Sequence, residues 1–107
     1  MQASTDELFK ALADPTRRGI LERLLREGEL TVRLLTDQAG VSQPMVSKHL
    51  GVLKLAGLVS DRPQGRQVHY RAEGKALKPL IDWIAFYGTF WQGRFDQLED
   101  LLNRMDQ

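Results

Sequence analysis

The segment Ser42–Val59, SQPMVSKHLGVLKLAGLV, constrains this chain more than any other stretch. Ser42 carries a side-chain oxygen able to bind an orphan backbone N–H, so it predicts a helix N-cap. Pro44 follows in the first helical turn, where its missing N–H costs nothing. Val46, Leu50 and Leu53 recur at helical spacing and define one apolar stripe. Gly57 supplies a left-handed stop. Gln43, Ser47, Lys48, Gly51 and Lys54 lie off the stripe, a face with amide, hydroxyl and ammonium groups and no acid. A short helix with one buried face and a polar, cationic outer face suits the DNA major groove.

The flanking segments predict elements that would hold such a helix. In TDELFKALA, residues 5–13, Leu8, Phe9 and Leu12 share one side. Asp14-Pro15 then reads as an N-cap and a first-turn proline. Ile20, Leu21, Leu24 and Leu25 mark the buried face of a second helix that Gly28 closes. Thr31 caps a third through about Gln38, and Ala39-Gly40-Val41 turns into Ser42. Short helix, tight turn and capped second helix make a helix-turn-helix. Beyond Gly57, LVSDR and RQVHYR flank Pro63-Gln64-Gly65, predicting a β-hairpin with a three-residue connection. A hairpin directly after a reading helix is a wing. Its arms carry Arg62, Arg66 and Arg71 against one acid, Asp61.

Charge distribution agrees with this reading. Net charge is only +1, but residues 31–78 hold eight Lys/Arg against three Asp/Glu, an excess of five. Residues 1–30 balance at five against six, and residues 79–107 at two against five. The basic excess therefore falls on the segment with the proposed reading helix, as phosphate neutralisation requires.

From about Lys75 to Met105 the periodicity is helical again. Leu77, Leu80, Ile84, Tyr87, Trp91, Phe95, Leu98, Leu102 and Met105 follow three- and four-residue steps, with Trp83, Phe86 and Phe90 beside them. Such a helix is apolar over more than one face, which implies burial on more than one side. A chain of 107 residues cannot easily surround it, so a second copy is the economical cover. The expected two-fold interface comprises Leu8, Phe9, Leu12, Trp83, Phe86, Tyr87, Phe90, Trp91, Phe95, Leu98 and Leu102. A ligand pocket among the aromatics is the competing reading. Gly88 and Gly93 each weaken the helix by about 1 kcal/mol relative to Ala. They invite either a bend or close approach of a partner. The most apolar run, PLIDWIAFYGTFW, is too short to span a bilayer and contains Asp82. MQASTDELFK does not read as a secretory signal. Without cysteine there is no disulfide and no thiolate site. A cytoplasmic location fits these features.

The runs ADPTRRGILERLL, SQPMVSKHLGVLKLAGLV and GRQVHYR, in this order, resemble the ArsR-type winged-helix repressors over residues 5–73. The aromatic tail resembles a cysteine-poor branch ending in a long dimerisation helix. The resemblance implies a homodimeric transcriptional regulator, usually a repressor, binding a palindromic operator. It also implies a single α+β, mostly helical winged helix-turn-helix domain over residues 1–107. Its DNA-binding core would be 5–73, its wing two-stranded, and its C-terminal dimerisation helix 75–105. Metal-sensing members carry two cysteines in a pattern like ELCVCDL. Here Glu29-Leu30-Thr31-Val32-Arg33-Leu34-Leu35 stands there, with Thr31 and Arg33 at the thiolate positions. Soft metals need thiolates and zinc needs clustered ligands. No metal or other cofactor is therefore expected, and an effector, small molecule or protein, stays unidentified.

The candidate DNA-binding residues are Ser42, Gln43, Pro44, Ser47, Lys48, His49, Lys54, Arg62 and Arg66. Gln43 suits a bidentate adenine contact, Lys48 or Lys54 guanine or phosphate, and Pro44 a thymine methyl. Ser47 can bond a base edge or a phosphate. Ser42 is either a phosphate donor or simply the cap. His49 borders the buried stripe, so an internal structural bond and a DNA contact both stay open. Arg17 and Arg18 can touch phosphate or pair with nearby acids. A winged-helix module for protein interaction is the alternative function, but an acidic or apolar outer face would suit it better. No nucleophile–base–orienter set, carboxylate pair or glycine-rich phosphate loop argues for an enzyme.

Overall fold

The computed structural model describes residues 4–106, apart from the side chain of Phe95. Its elements follow the predicted order. Helix α1 (Thr5–Leu12) leads to α2 (Pro15–Glu27), strand β1 (Leu30–Thr31), α3 (Val32–Ala39) and α4 (Gln43–Leu55). Strands β2 (Val59–Gln64) and β3 (Gln67–Ala72), a 3-10 turn (Gly74–Leu77) and α5 (Lys78–Met105) complete it.

Local chemistry sets the helix boundaries. Asp14 accepts from the Arg17 N–H at 2.9 Å, Thr31 from Leu34 at 3.2 Å, and Ser42 from Met45 at 3.4 Å. Each satisfies one of the N–H groups that a helix start leaves unpaired. Gly40 ends α3 at φ 72°, a left-handed conformation that costs glycine little. Val46, Leu50 and Leu53 of α4 are completely buried against Leu24 of α2, Leu35 of α3 and Leu58. This core holds the helix-turn-helix rigid and turns the opposite face of α4 outward. Leu25 departs from its expected place: it is half exposed, while Ile20, Leu21 and Leu24 alone form the buried face of α2.

The wing differs from expectation in two respects. It belongs to a three-stranded antiparallel sheet of order β1-β3-β2, with Leu30 opposite Tyr70 and Thr31 opposite His69. The extended backbone that lets Thr31 cap α3 also lets it pair with β3. The hairpin turn is Gly65-Arg66, since Gln64 pairs with Gln67 and Pro63 with Val68. A proline is tolerated there because β2 is an edge strand. Gly65, at φ 62°, takes the first position of a two-residue turn, where positive φ is needed.

Helix α5 starts at Lys78, three residues later than expected, with Pro79 in its first turn and a 3-10 turn before it. It runs unbroken through Gly88 and Gly93 for 28 residues, roughly 42 Å at 1.5 Å per residue. The molecule is correspondingly elongated, 60 Å along its longest axis. Among the described residues no helix is long and apolar enough to cross a membrane.

Candidate nucleic-acid interface

The outer face of α4 meets the wing across a concavity of about 640 Å³. Gln43 and Ser47 line one wall, Arg66 and Gln67 the wing side, and Arg33 and Thr36 of α3 the third. The Thr36 hydroxyl donates to the Val32 carbonyl at 2.7 Å, which fixes its rotamer. Tyr70 lies at the wing side of the hollow. Burial, reinforced by the nearby Asp61 carboxylate, pushes its phenol above the ordinary value and keeps it neutral.

The cations differ in what they face. Arg62 donates to Glu29 and, at 2.8 Å, to Gln64 Oε1. Arg71 donates to Glu73 Oε1 at 3.1 Å and to Ser60 Oγ at 3.2 Å. The Ser60 hydroxyl, itself bonded to Glu73 at 2.7 Å, and Arg71 hold that carboxyl below its ordinary range. Lys54 pairs with Asp61 at 3.0 Å. Arg33, Lys48 and Arg66 are exposed and have no acidic partner among the described residues. Of the three wing arginines, then, two are already neutralised and the one at the tip is available.

The structure brings Gln43, Ser47 and Arg66 together around one hollow. Ser42, Pro44 and Lys48 are exposed on the same helix outside it. Lys54 and Arg62 are exposed but pinned by carboxylates. His49 does not belong to the outer face. It is 7% exposed, with Nδ1 3.4 Å from Arg17 Nη1 and Nε2 3.9 Å from Asp14 Oδ2. Its position one turn from Val46 and Leu53 draws the ring inward. Arg33 and Thr36 line the hollow without being sequence candidates: their segment reads as a short capped helix and, over Glu29–Leu35, as a metal pattern without its cysteines, and the hollow exists only once β3 folds back beside α3.

A second surface lies along α1 and α5. Phe9 meets Trp83 edge-on, with centroids 5.2 Å apart, and Trp83 meets Tyr87 at 5.0 Å. Phe86 packs edge-on against Tyr87, and Phe90 against Trp91, while the Arg94 guanidinium covers Phe90 at 4.4 Å. Trp83, Phe86, Tyr87, Phe90, Trp91, Leu98 and Leu102 are all exposed. Leu8, expected in this surface, instead fills the protomer's own core at 1% exposure, and Leu12 packs partly against that core. The expected contribution of Phe95 lies outside the described side chains.

Helix-turn-helix, Arg-tipped hairpin and polar reading helix together define a winged helix-turn-helix protein. The family described as "Bacterial regulatory protein, arsR family" matches residues 14–61. The chain is 37% identical to the transcriptional repressor SdpR of Bacillus subtilis over 79 residues, covering 74% of this chain and 87% of that one. An ArsR-like transcriptional regulator from a Rhodococcus species superposes with a TM-score of 0.68 at 31% identity, covering 90% of each chain. A homodimeric winged helix-turn-helix DNA-binding domain from Mycobacterium bovis, a possible ArsR-family regulator, gives 0.63 at 30% identity. It covers 78% of this chain and 77% of that one. The chain belongs to the ArsR family of transcriptional regulators.

Proposed function

We propose that this ArsR-family regulator is a homodimeric repressor that reads a palindromic duplex site with α4 and grips phosphate with its wing. The observation that carries the reading is the hollow where Gln43 and Ser47 of α4 face the unpaired Arg66. Gln43 is exposed in the first turn of α4, where side chains reach base edges, and its amide suits adenine N6 and N7. Arg66 and Lys48 supply the sequence-independent phosphate contacts, and Arg33 adds a third cation. Lys54 and Arg62 contribute after release from Asp61 and Glu29, so their net effect on affinity is smaller. The exposed aromatic face of α1 and α5 is the two-fold contact. It sets two α4 helices about 34 Å apart, one helical turn of DNA. A regulator of this kind works in the bacterial cytoplasm, beside the chromosome.

The test is selection from random-sequence duplexes by the purified chain, followed by titration of the selected duplex at several salt concentrations. A palindromic consensus and a steep loss of affinity with salt are expected. Gln43→Ala should relax discrimination at one position per half-site by about 1–3 kcal/mol. A chain that enriches no sequence and binds no duplex in a salt-dependent way would overturn the reading in favour of a protein-interaction module.

A further inference from the structure

The last carbonyls of a helix lack intrahelical partners. Two adjacent arginines of α2 serve those of α1. Arg17 Nε donates to the Ala11 carbonyl at 2.7 Å and Nη2 to that of Lys10 at 3.2 Å. Arg18 Nη1 donates to the carbonyls of Leu12 at 2.8 Å and Ala13 at 3.3 Å. Among the described residues neither arginine forms a salt bridge with an acid, one of the two roles the sequence left open to them. Their roles then diverge. Arg18 is exposed and ends there, whereas the remaining nitrogen of Arg17, Nη1, lies 3.4 Å from His49 Nδ1, in the interior face of α4. A guanidinium has donors only, so Nδ1 is the acceptor and the ring proton sits on Nε2, toward Asp14. One planar side chain thus touches α1 and α4 while its own backbone N–H is held by Asp14.

We propose that Arg17 is a positioning residue that sets the reading helix against α1 through His49, and that it makes no phosphate contact itself. The inference rests on α4 reading DNA, and it adds how that helix is aimed. Three diverging donors of a rigid fork fix distance and angle together, which a lysine ammonium cannot do. Because α1 also carries Phe9, which packs on Trp83 of α5, the tie joins the aromatic surface to the reading helix.

The experiment uses the full chain, its selected duplex and an unrelated duplex of equal length, with affinity measured across salt. Arg17→Met is expected to weaken the selected duplex about tenfold, with the salt slope unchanged and unrelated-duplex binding within about twofold. Arg17→Lys should not restore it. His49→Leu, which leaves both carbonyl bonds of Arg17 in place, should reproduce the loss. His49→Asn, whose Oδ1 takes the place of Nδ1 as acceptor, should stay within about twofold of the native chain. A salt slope reduced by about one unit in Arg17→Met would make Arg17 a phosphate ligand and overturn the proposal. So would restoration by lysine, or an unchanged preference for the selected duplex in both Arg17→Met and His49→Leu. A native chain that selects no duplex would instead overturn the DNA reading on which this one stands.

Discussion

Helices α4 and α5 are both amphipathic, and their apolar stripes meet opposite fates. In α4 the stripe Val46, Leu50 and Leu53 has no exposure at all. Among the described side chains of α5 only Leu80 is buried, and those of the apolar stripe beyond it run from 38% exposed at Tyr87 to 76% at Phe86. Helical periodicity states that a face needs cover; it does not state what covers it. For α4 the cover is the chain's own α2, α3 and wing root. For α5 the cover within the protomer comes mainly from α1 and the 3-10 turn at one end, and an apolar face this extended is characteristic of an interaction surface.

The largest expected effect lies on the buried side of this contrast. Leu50→Ala removes a completely buried side chain at the centre of the core. It should destabilise the protomer by about 2–5 kcal/mol, read as a lowered midpoint in denaturant titration. A loss near zero would mean that α4 is no more enclosed than α5.

Next is the exposed stripe. Leu98 lies on it, half exposed in the protomer. Leu98→Asp places an unpaired charge in the proposed two-fold contact. Sedimentation should show the dimer dissociation constant raised about thirtyfold or more, equivalent to about 2 kcal/mol. Helical content at high protein concentration should stay that of the native chain. Unchanged self-association would assign the aromatic face to another occupant.

These two helices also mark how far the sequence could be read. Every cap in α2, α3 and α4 was legible, because Asp14, Thr31 and Ser42 act on N–H groups two or three residues away. The wing turn was misplaced because Pro63 reads as a turn residue, while its tolerance in β2 depends on which strand lies at the sheet edge. Gln43, Ser47 and Arg66 were legible as a polar and basic set, but their convergence on one hollow is tertiary. Arg66 stood out in the sequence as the arginine nearest the hairpin tip, with Arg62 a further candidate and Arg71 on the same hairpin, but nothing in the strands themselves showed which of them is neutralised. The acids that partner Arg62 and Arg71, Glu29 and Glu73, come from outside the two strands that define the hairpin, so the charge accounting needed the fold.

That accounting has its own, smaller consequence. Arg66→Ala should reduce the steepness of the affinity–salt relation by about one unit and weaken all duplexes alike. Arg71→Ala should change the slope much less, since Glu73 already faces the lost charge. Equal slope changes at both positions would show that the ion pair opens on DNA.

The smallest effect concerns the support beneath α4. The Arg17 N–H bonded to Asp14 lowers that carboxyl below its ordinary value of 3.8; burial opposes this, and the charge of the Arg17 guanidinium assists it. A carboxyl depressed in the folded state contributes stability above its unfolded value. That contribution is lost as pH falls through the folded one. Asp14→Asn preserves a good N-cap without the titration. The native chain should therefore be the more stable at neutral pH, and the difference should disappear as the solution is taken below the ordinary carboxylate value. Asp14 also faces His49, so acid that protonates this cap weakens the same corner from which Arg17 reaches α4. Denaturant midpoints of the two chains across acid pH provide the measurement. A gap that persists undiminished in acid would mean that the cap acts by hydrogen-bond geometry alone, without its charge.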